Sequence, residues 1–92
     1  MQIQRTPEYK LAQRILALAF IVESTKQNGY PPSVREVGKH VGIASSSTIY
    51  KMLDSMREDE LIMVDTKVAR SIRVTSSGMA MYRKAKSIER SR

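Results

Sequence analysis

The segment GYPPSVREVGKHVG divides the chain more sharply than any other stretch of the sequence. Gly29 can adopt the left-handed conformation that ends a helix, and Pro31 and Pro32 prevent the preceding helix from continuing. Ser33 and Glu36 have the spacing of a capping box, so a second helix is predicted to start directly afterwards. Any fold of this chain must therefore accommodate two helices joined by a tight connection.

The first helix precedes this break. We predict that it starts at Pro7 with Thr6 as its N-cap, and that it ends near Asn28. Its apolar residues recur at helical spacing, which indicates one face turned toward a core. The predicted stripe comprises Leu11, Ile15, Leu18, Ala19 and Val22, and it is widened beyond one face by Leu16, Phe20 and Ile21.

Two shorter helices follow the break. Gly38 lies inside the second helix, where glycine is unfavourable unless another helix approaches closely. Gly42 is predicted to end that helix. The third helix is predicted to begin within the serines at 45–47 and to fade over residues 58–60, with Ile49, Leu53 and Met56 facing inward.

The pattern then changes from helix to strand. Residues 61–64 form a short apolar run, and residues 71–75 alternate as a half-buried strand does. The intervening segment DTKVAR has the length of a hairpin loop and carries basic residues. A last helix is predicted from Ser76 or Ser77, and we expect the last few residues of the chain to fray.

This order of elements predicts a mainly α fold with a small β-hairpin, a winged helix-turn-helix. Residues 1–75 are expected to form three helices and a two-stranded wing, and residues 76–92 an added C-terminal helix that acts as a dimerisation element or a basic tail. In winged helix-turn-helix domains the third helix enters the major groove of DNA, and the wing reaches the adjacent backbone or minor groove.

The composition supports a polyanionic partner. The 92 residues include 16 Lys and Arg against 9 Asp and Glu, a formal net charge of +7. The chain has no cysteine, no apolar run of membrane-spanning length and no signal-peptide pattern, so we expect a cytoplasmic protein. The single histidine, His40, has no evident catalytic partner. We expect neither enzymatic activity nor a metal or cofactor.

The start of the third helix and the wing hold the candidate DNA contacts. Small hydroxyl residues at a helix N-terminus allow close approach to DNA and can bind phosphates or base edges. Longer side chains on the same outward face, Tyr50 and Lys51, reach farther into a groove. Simpler interpretations remain open: helix capping by Ser45, a half-buried Tyr50 ring, a solvated Lys51, and an ordinary charged hairpin carrying Lys67, Arg70 and Arg73.

The segment from Gly29 to Val74 resembles the N-terminal DNA-binding domain of the LexA family of SOS-response repressors. The resemblance rests on GYPPSVREVGKHVGIASSSTIYKML, on the L-x-x-M-x-x-x-x-L-I that follows, and on the wing KVARSIRV. It implies a sequence-specific repressor that reads double-stranded DNA. The implied base-reading residues are Ser46, Ser47, Thr48, Tyr50 and Lys51. The implied wing contacts are Lys67 and Arg70, joined by Arg73 on the outer strand face, and the candidate backbone contacts are Ser33, Arg35 and Ser45.

The chain differs from that family in length. LexA-type repressors continue into a self-cleaving Ser/Lys peptidase domain that also dimerises them, and 92 residues leave no room for it. We therefore expect no autoproteolysis from this sequence. A lone winged helix reads few base pairs, so a homodimer on a palindromic operator is expected. The candidate dimer contacts are Leu16, Phe20, Met79, Tyr82 and Ala85.

Alternatives remain open at this stage both for the last helix and for the function. The last helix could instead pack on the first helix of its own chain, or lie with its basic face along DNA. The rival function is a small phage- or plasmid-type protein-binding module that acts on a host repressor or RNA polymerase.

Overall fold

The computed structural model describes residues 7–90, with side chains from residue 10 to residue 88. Its elements, in chain order, are α1 (Pro7–Asn28), α2 (Val34–His40), α3 (Ser46–Glu58), β1 (Ile62–Met63), β2 (Arg73–Val74) and α4 (Ser76–Arg90). The predicted architecture of helices and a small hairpin is confirmed. The N-cap predicted at Thr6 and the fraying predicted for the last residues lie outside the described range.

The connection between α1 and α2 forms as the sequence indicates. Gly29 has a φ of +83°, and its N–H donates to the carbonyl of Thr25 at 2.9 Å. The capping box of α2 is complete: the Glu36 N–H donates to Ser33 Oγ at 3.1 Å, and the Ser33 N–H donates to Glu36 Oε1 at 2.9 Å. These local bonds fix where α2 begins.

Gly38 lies where α2 meets α3. A Cβ at this position would stand 2.2 Å from Ile49 Cδ1, so only glycine permits the observed approach of the two helices. The close contact predicted from the mid-helix glycine is confirmed. It sets the distance between the two helices of the helix-turn-helix.

The core forms where α1, α2, α3, the hairpin and α4 meet. Its buried apolar residues are Ala17, Leu18, Ile21, Val22, Val37, Ile49, Leu53, Met56, Leu61, Ile62, Ile72 and Tyr82. Leu18, Ile21 and Val22 are buried, as predicted for α1. Leu11 is instead 46% exposed, and Ala17, which was not part of the prediction, is buried. α1 packs against α2, α4 and β2, so its buried face is wider than a single stripe, as the sequence indicates.

A polar contact also joins α1 to the end of α3. The Arg14 guanidinium donates to the Asp59 carboxylate and to the Ser55 hydroxyl. This contact lies at the end of α3 that is remote from the serine cluster. It holds α3 on the long first helix.

The hairpin is shorter than predicted. β1 and β2 pair antiparallel through Ile62 with Val74 and Met63 with Arg73, two residues in each strand. Beyond them, hydrogen bonds from a side chain replace the backbone hydrogen bonds between the strands. Ser71 Oγ accepts from the Asp65 N–H at 2.9 Å and donates to the Asp65 carbonyl at 2.8 Å. We call residues 64–72, which connect the two strands, the wing loop.

α4 packs on α1 of the same chain, one of the roles that the sequence left open. Its N-terminus is capped by Thr75, whose hydroxyl accepts from the Gly78 N–H at 3.0 Å. Tyr82 Oη donates to Glu23 Oε2 at 3.0 Å, and Lys86 Nζ lies 3.2 Å from the same oxygen. Within residues 7–90, no helix has the length and apolar character needed to cross a membrane.

Candidate nucleic-acid interface

The first turn of α3 is exposed and has no side-chain cap. Ser45 occupies the N-cap position, but its hydroxyl lies 3.0 Å from the Ser47 hydroxyl and caps no backbone N–H group. The first turn also contains no acidic residue. The positive end of the helix dipole is therefore left without a negative partner from its own first turn, an arrangement that favours an anionic ligand such as a phosphate.

Two basic residues flank this turn on the α2 side. Arg35, Lys39, Ser46 and Tyr50 line a groove of about 440 Å³ between α2 and the start of α3. Tyr50 is 42% exposed, so its ring is not part of the core. Lys39 was missed in the sequence, although it lies one helical turn after Arg35 and that spacing places both on one face.

A second groove lies on the other side of α3. Thr48 and Lys51 line it together with Lys10 from the first helix, and its volume is about 400 Å³. Thr48 is half-buried and Lys51 is exposed. Lys10 was also missed, because only the folded chain brings α1 beside this part of α3.

The predicted backbone contacts differ in how free they are. Arg35 is exposed on α2, and Ser45 is exposed at the start of α3. Ser33 is half-buried, and its hydroxyl oxygen already accepts the Glu36 N–H. Its O–H hydrogen can still be donated to a phosphate oxygen.

The wing residues fall into two groups. Lys67 and Arg73 are exposed, and neither side chain has an ion pair within residues 10–88. Arg70 instead contacts the start of α2 through an ion pair with Glu36 at 3.0 Å. The structure therefore separates two free basic groups on the wing from one that is engaged within the chain.

The residues predicted for dimer contacts lie on α1 and α4. Leu16 is 43% exposed, and Ala85 lines a groove of about 300 Å³ with it. The Phe20 ring stacks on His40, with 4.2 Å between ring centroids. Met79 is half-buried against the core, and Tyr82 is buried and bonded to Glu23.

The described side chains include basic groups around an exposed helix end. In residues 10–88 no group of three or more His, Asp or Glu side chains is placed to hold a metal ion. The same region buries no polar or charged residue. What it presents is an exposed helix end flanked by basic residues, together with a basic loop, and these features match a negatively charged backbone.

Comparisons with known proteins point to one family. Residues 10–71 match the model of the LexA DNA binding domain. The LexA repressor of Leuconostoc mesenteroides subsp. mesenteroides is 40% identical over 72 residues, which cover 76% of this chain and 34% of that protein. The LexA repressor of Bacillus pumilus is 48% identical over 66 residues, or 71% of this chain and 32% of that protein. The chain thus spans about a third of the length of these curated relatives.

Proposed function

Because this chain belongs to the LexA DNA-binding domain family, we propose that it is a sequence-specific transcriptional regulator that binds double-stranded DNA and represses transcription. One observation carries the proposal. The family match, residues 10–71, spans most of α1, all of α2 and α3, and the wing loop up to Ser71. It therefore includes the uncapped start of α3 and the basic groups on both sides of it.

In this proposal α3 reads base edges in the major groove. Base reading is assigned to Ser46, Ser47, Thr48, Tyr50 and Lys51, and backbone contacts to Ser33, Arg35 and Ser45. The exposure of Tyr50 and Lys51, together with the acid-free first turn of α3, supports this assignment. Lys39 joins the backbone group because it lines the same groove as Arg35.

The wing is proposed to contact the neighbouring backbone or minor groove. Lys67 and Arg73 are exposed basic groups without an ion pair among residues 10–88, which supports a contact with phosphates. Arg70 was predicted for the same role. Its engagement with Glu36 raises a second possibility, which the next subsection develops.

We further propose that the protein binds as a homodimer. One winged helix covers a few base pairs, and two copies on a palindrome extend the recognised sequence. The groove between α1 and α4, with the exposed Leu16 beside it, is the proposed contact between copies. Sedimentation should show a dimer on DNA that the L16E variant weakens, whereas a monomer free and on DNA would contradict dimerisation.

The family match favours this function over a module that binds a host regulatory protein or polymerase. The two differ in their response to salt, because phosphate contacts release counterions and apolar protein contacts do not. The proposed place of action is the bacterial cytoplasm, with the chromosome. No described feature specifically favours the protein-binding alternative.

Selection of bound sequences from random duplex DNA tests the proposal. We expect enrichment of one palindromic sequence whose half-sites are separated by about 10 base pairs or a multiple of that distance. The T48A and Y50A variants should enrich a different sequence. Absence of any enriched sequence with the unaltered chain would contradict sequence-specific binding.

A further inference from the structure

The Arg70 side chain is held at the start of α2 by several partners at once. One guanidinium nitrogen, Nη1, donates to the Pro31 carbonyl at 3.2 Å and to Glu36 Oε1 at 3.0 Å, while Nη2 donates to Glu36 Oε2 at 3.3 Å. The guanidinium carbon lies 5.1 Å from the centre of the Tyr30 ring. This two-point arrangement is the geometry in which arginine binds a carboxylate with defined orientation.

The same carboxylate organises the start of α2. Glu36 Oε1 accepts both from Arg70 and from the Ser33 N–H of the capping box. Two hydrogen bonds hold the pKa of Glu36 below its ordinary value. The bond from Arg70 has the largest effect, and the bond from the Ser33 N–H has the second largest. Glu36 is therefore ionised at neutral pH, and one side chain connects the helix-turn-helix to the wing.

The wing loop depends on such attachments. The two strands that the loop connects contribute only two residues each, and a two-stranded hairpin is marginally stable by itself. Arg70 also has a φ of +56°, a left-handed conformation that is unfavourable for a residue with a side chain. The contacts of its guanidinium offset that strain and tie the end of the loop to α2.

We propose that Glu36 is a positioning residue for DNA recognition, which, by holding Arg70, fixes the wing loop at one place relative to α3. The inference rests on the proposed function. An interface that reads one duplex with two elements binds more tightly when both are already in the bound arrangement. Lys67 and Arg73 contact DNA in this view, and Arg70 sets where they stand.

Simple electrostatics makes the opposite prediction for Glu36. A carboxylate on a surface that faces DNA repels phosphates, so its removal should strengthen binding to any duplex. Loss of a positioning contact should instead weaken binding to the preferred sequence. Whether DNA binding weakens or strengthens on removal of the carboxylate therefore distinguishes a positioning residue from a charge that only repels phosphates.

The E36Q variant tests which of the two occurs. Glutamine retains the capping-box position, because an amide oxygen also accepts the N-cap N–H, but it loses the charged partner of Arg70. We expect affinity for the selected palindromic duplex to fall about twofold to fivefold, within the range of exposed ion-pair effects. The matched control is E58Q, which removes one exposed carboxylate at the end of α3 and should not weaken binding. Equal or tighter binding by E36Q would overturn the proposal.

A double-mutant cycle with R70Q separates positioning from direct contact. If Glu36 acts through Arg70, the E36Q/R70Q protein should bind as the single variants do, and R70Q should leave the salt dependence unchanged. If Arg70 contacts a phosphate, the two losses should multiply and R70Q should reduce the log–log salt slope by about 0.9. That second outcome would overturn the positioning role.

A measurement without DNA keeps the two proposals distinguishable. The Val68 N–H donates to the Asp65 carbonyl at 2.9 Å inside the wing loop, so its hydrogen exchange reports loop opening. Exchange should accelerate in E36Q and R70Q but not in E58Q. Unchanged exchange in E36Q and R70Q would overturn the proposal that Glu36 fixes the wing loop by holding Arg70. Faster exchange in a chain that selects no duplex sequence would overturn the proposed function, and the positioning role with it.

Discussion

At Gly38, helix propensity favours alanine, whereas the packing of α2 against α3 favours glycine. Alanine favours a helix interior over glycine by about 0.5–1 kcal/mol. A Cβ here, however, would stand 2.2 Å from Ile49 Cδ1 and 2.4 Å from Ile49 Cγ1, and Ile49 is buried. Repacking an overfilled core costs about 1–3 kcal/mol, so the clash should dominate. We expect G38A to lower the free energy of unfolding by about 1–2 kcal/mol in urea denaturation.

The control for this prediction alters the other side of the contact. I49V removes the Cδ1 atom that stands nearest to the added Cβ. G38A should therefore cost less stability in the I49V protein than in the unaltered one. Equal costs in both backgrounds would mean that the two residues do not compete for space, and that the approach of α2 to α3 is not set by Gly38.

At the scale of elements, the docking of α4 on α1 depends on an ionised carboxylate. Two hydrogen bonds hold the pKa of Glu23 below its ordinary value. The bond from Tyr82 has the largest effect, and the bond from Lys86 has the second largest. A carboxylate with a lowered folded-state pKa stabilises the fold fully above its unfolded value, about 4.3, and loses that contribution as the pH falls through the lower one. Acidification below this range should therefore loosen α4.

Hydrogen exchange along α4 measures this effect locally. We expect exchange in the middle of α4, corrected for the intrinsic pH dependence, to accelerate as the pH falls below about 4. The E23Q variant should exchange faster at neutral pH and respond less to acid. E36Q is the matched control, since it removes another carboxylate with a lowered pKa away from α4. An acid response that E23Q leaves intact would assign the effect to another group.

The whole molecule shows which features a sequence can predict. The break at Gly29 and the capping box of Ser33 and Glu36 were predicted because their bonds join residues three or four positions apart. The pair of Glu36 and Arg70 spans 34 positions, and neither residue type nor spacing indicates it. Polar contacts between side chains far apart in the sequence were therefore missed, even where the elements that carry them were correctly placed.

The candidate interface shows the same division. The hydroxyl cluster at 45–48 and the basic wing could be found from residue types alone, because each lies within one short segment. Lys39 could have been found from its helical spacing to Arg35. Lys10 could not, because only the folded chain brings it to the groove that Thr48 also lines. The assigned roles of these residues stay predictions until a duplex is bound.

The last prediction concerns the whole chain on DNA. It follows from the proposal that the wing contacts phosphates and α3 contacts bases. K67A and R73A should weaken binding to every duplex by the same factor, and each should reduce the log–log salt slope by about 0.9, because each removes one of the proposed phosphate contacts. T48A and Y50A should leave the slope nearly unchanged and alter which sequence is preferred. K84A removes an exposed positive charge on α4, so it is the control for net charge and should change the slope little. A slope that falls equally in K84A would place α4 along the duplex, and a changed sequence preference in K67A would mean that the wing also reads bases.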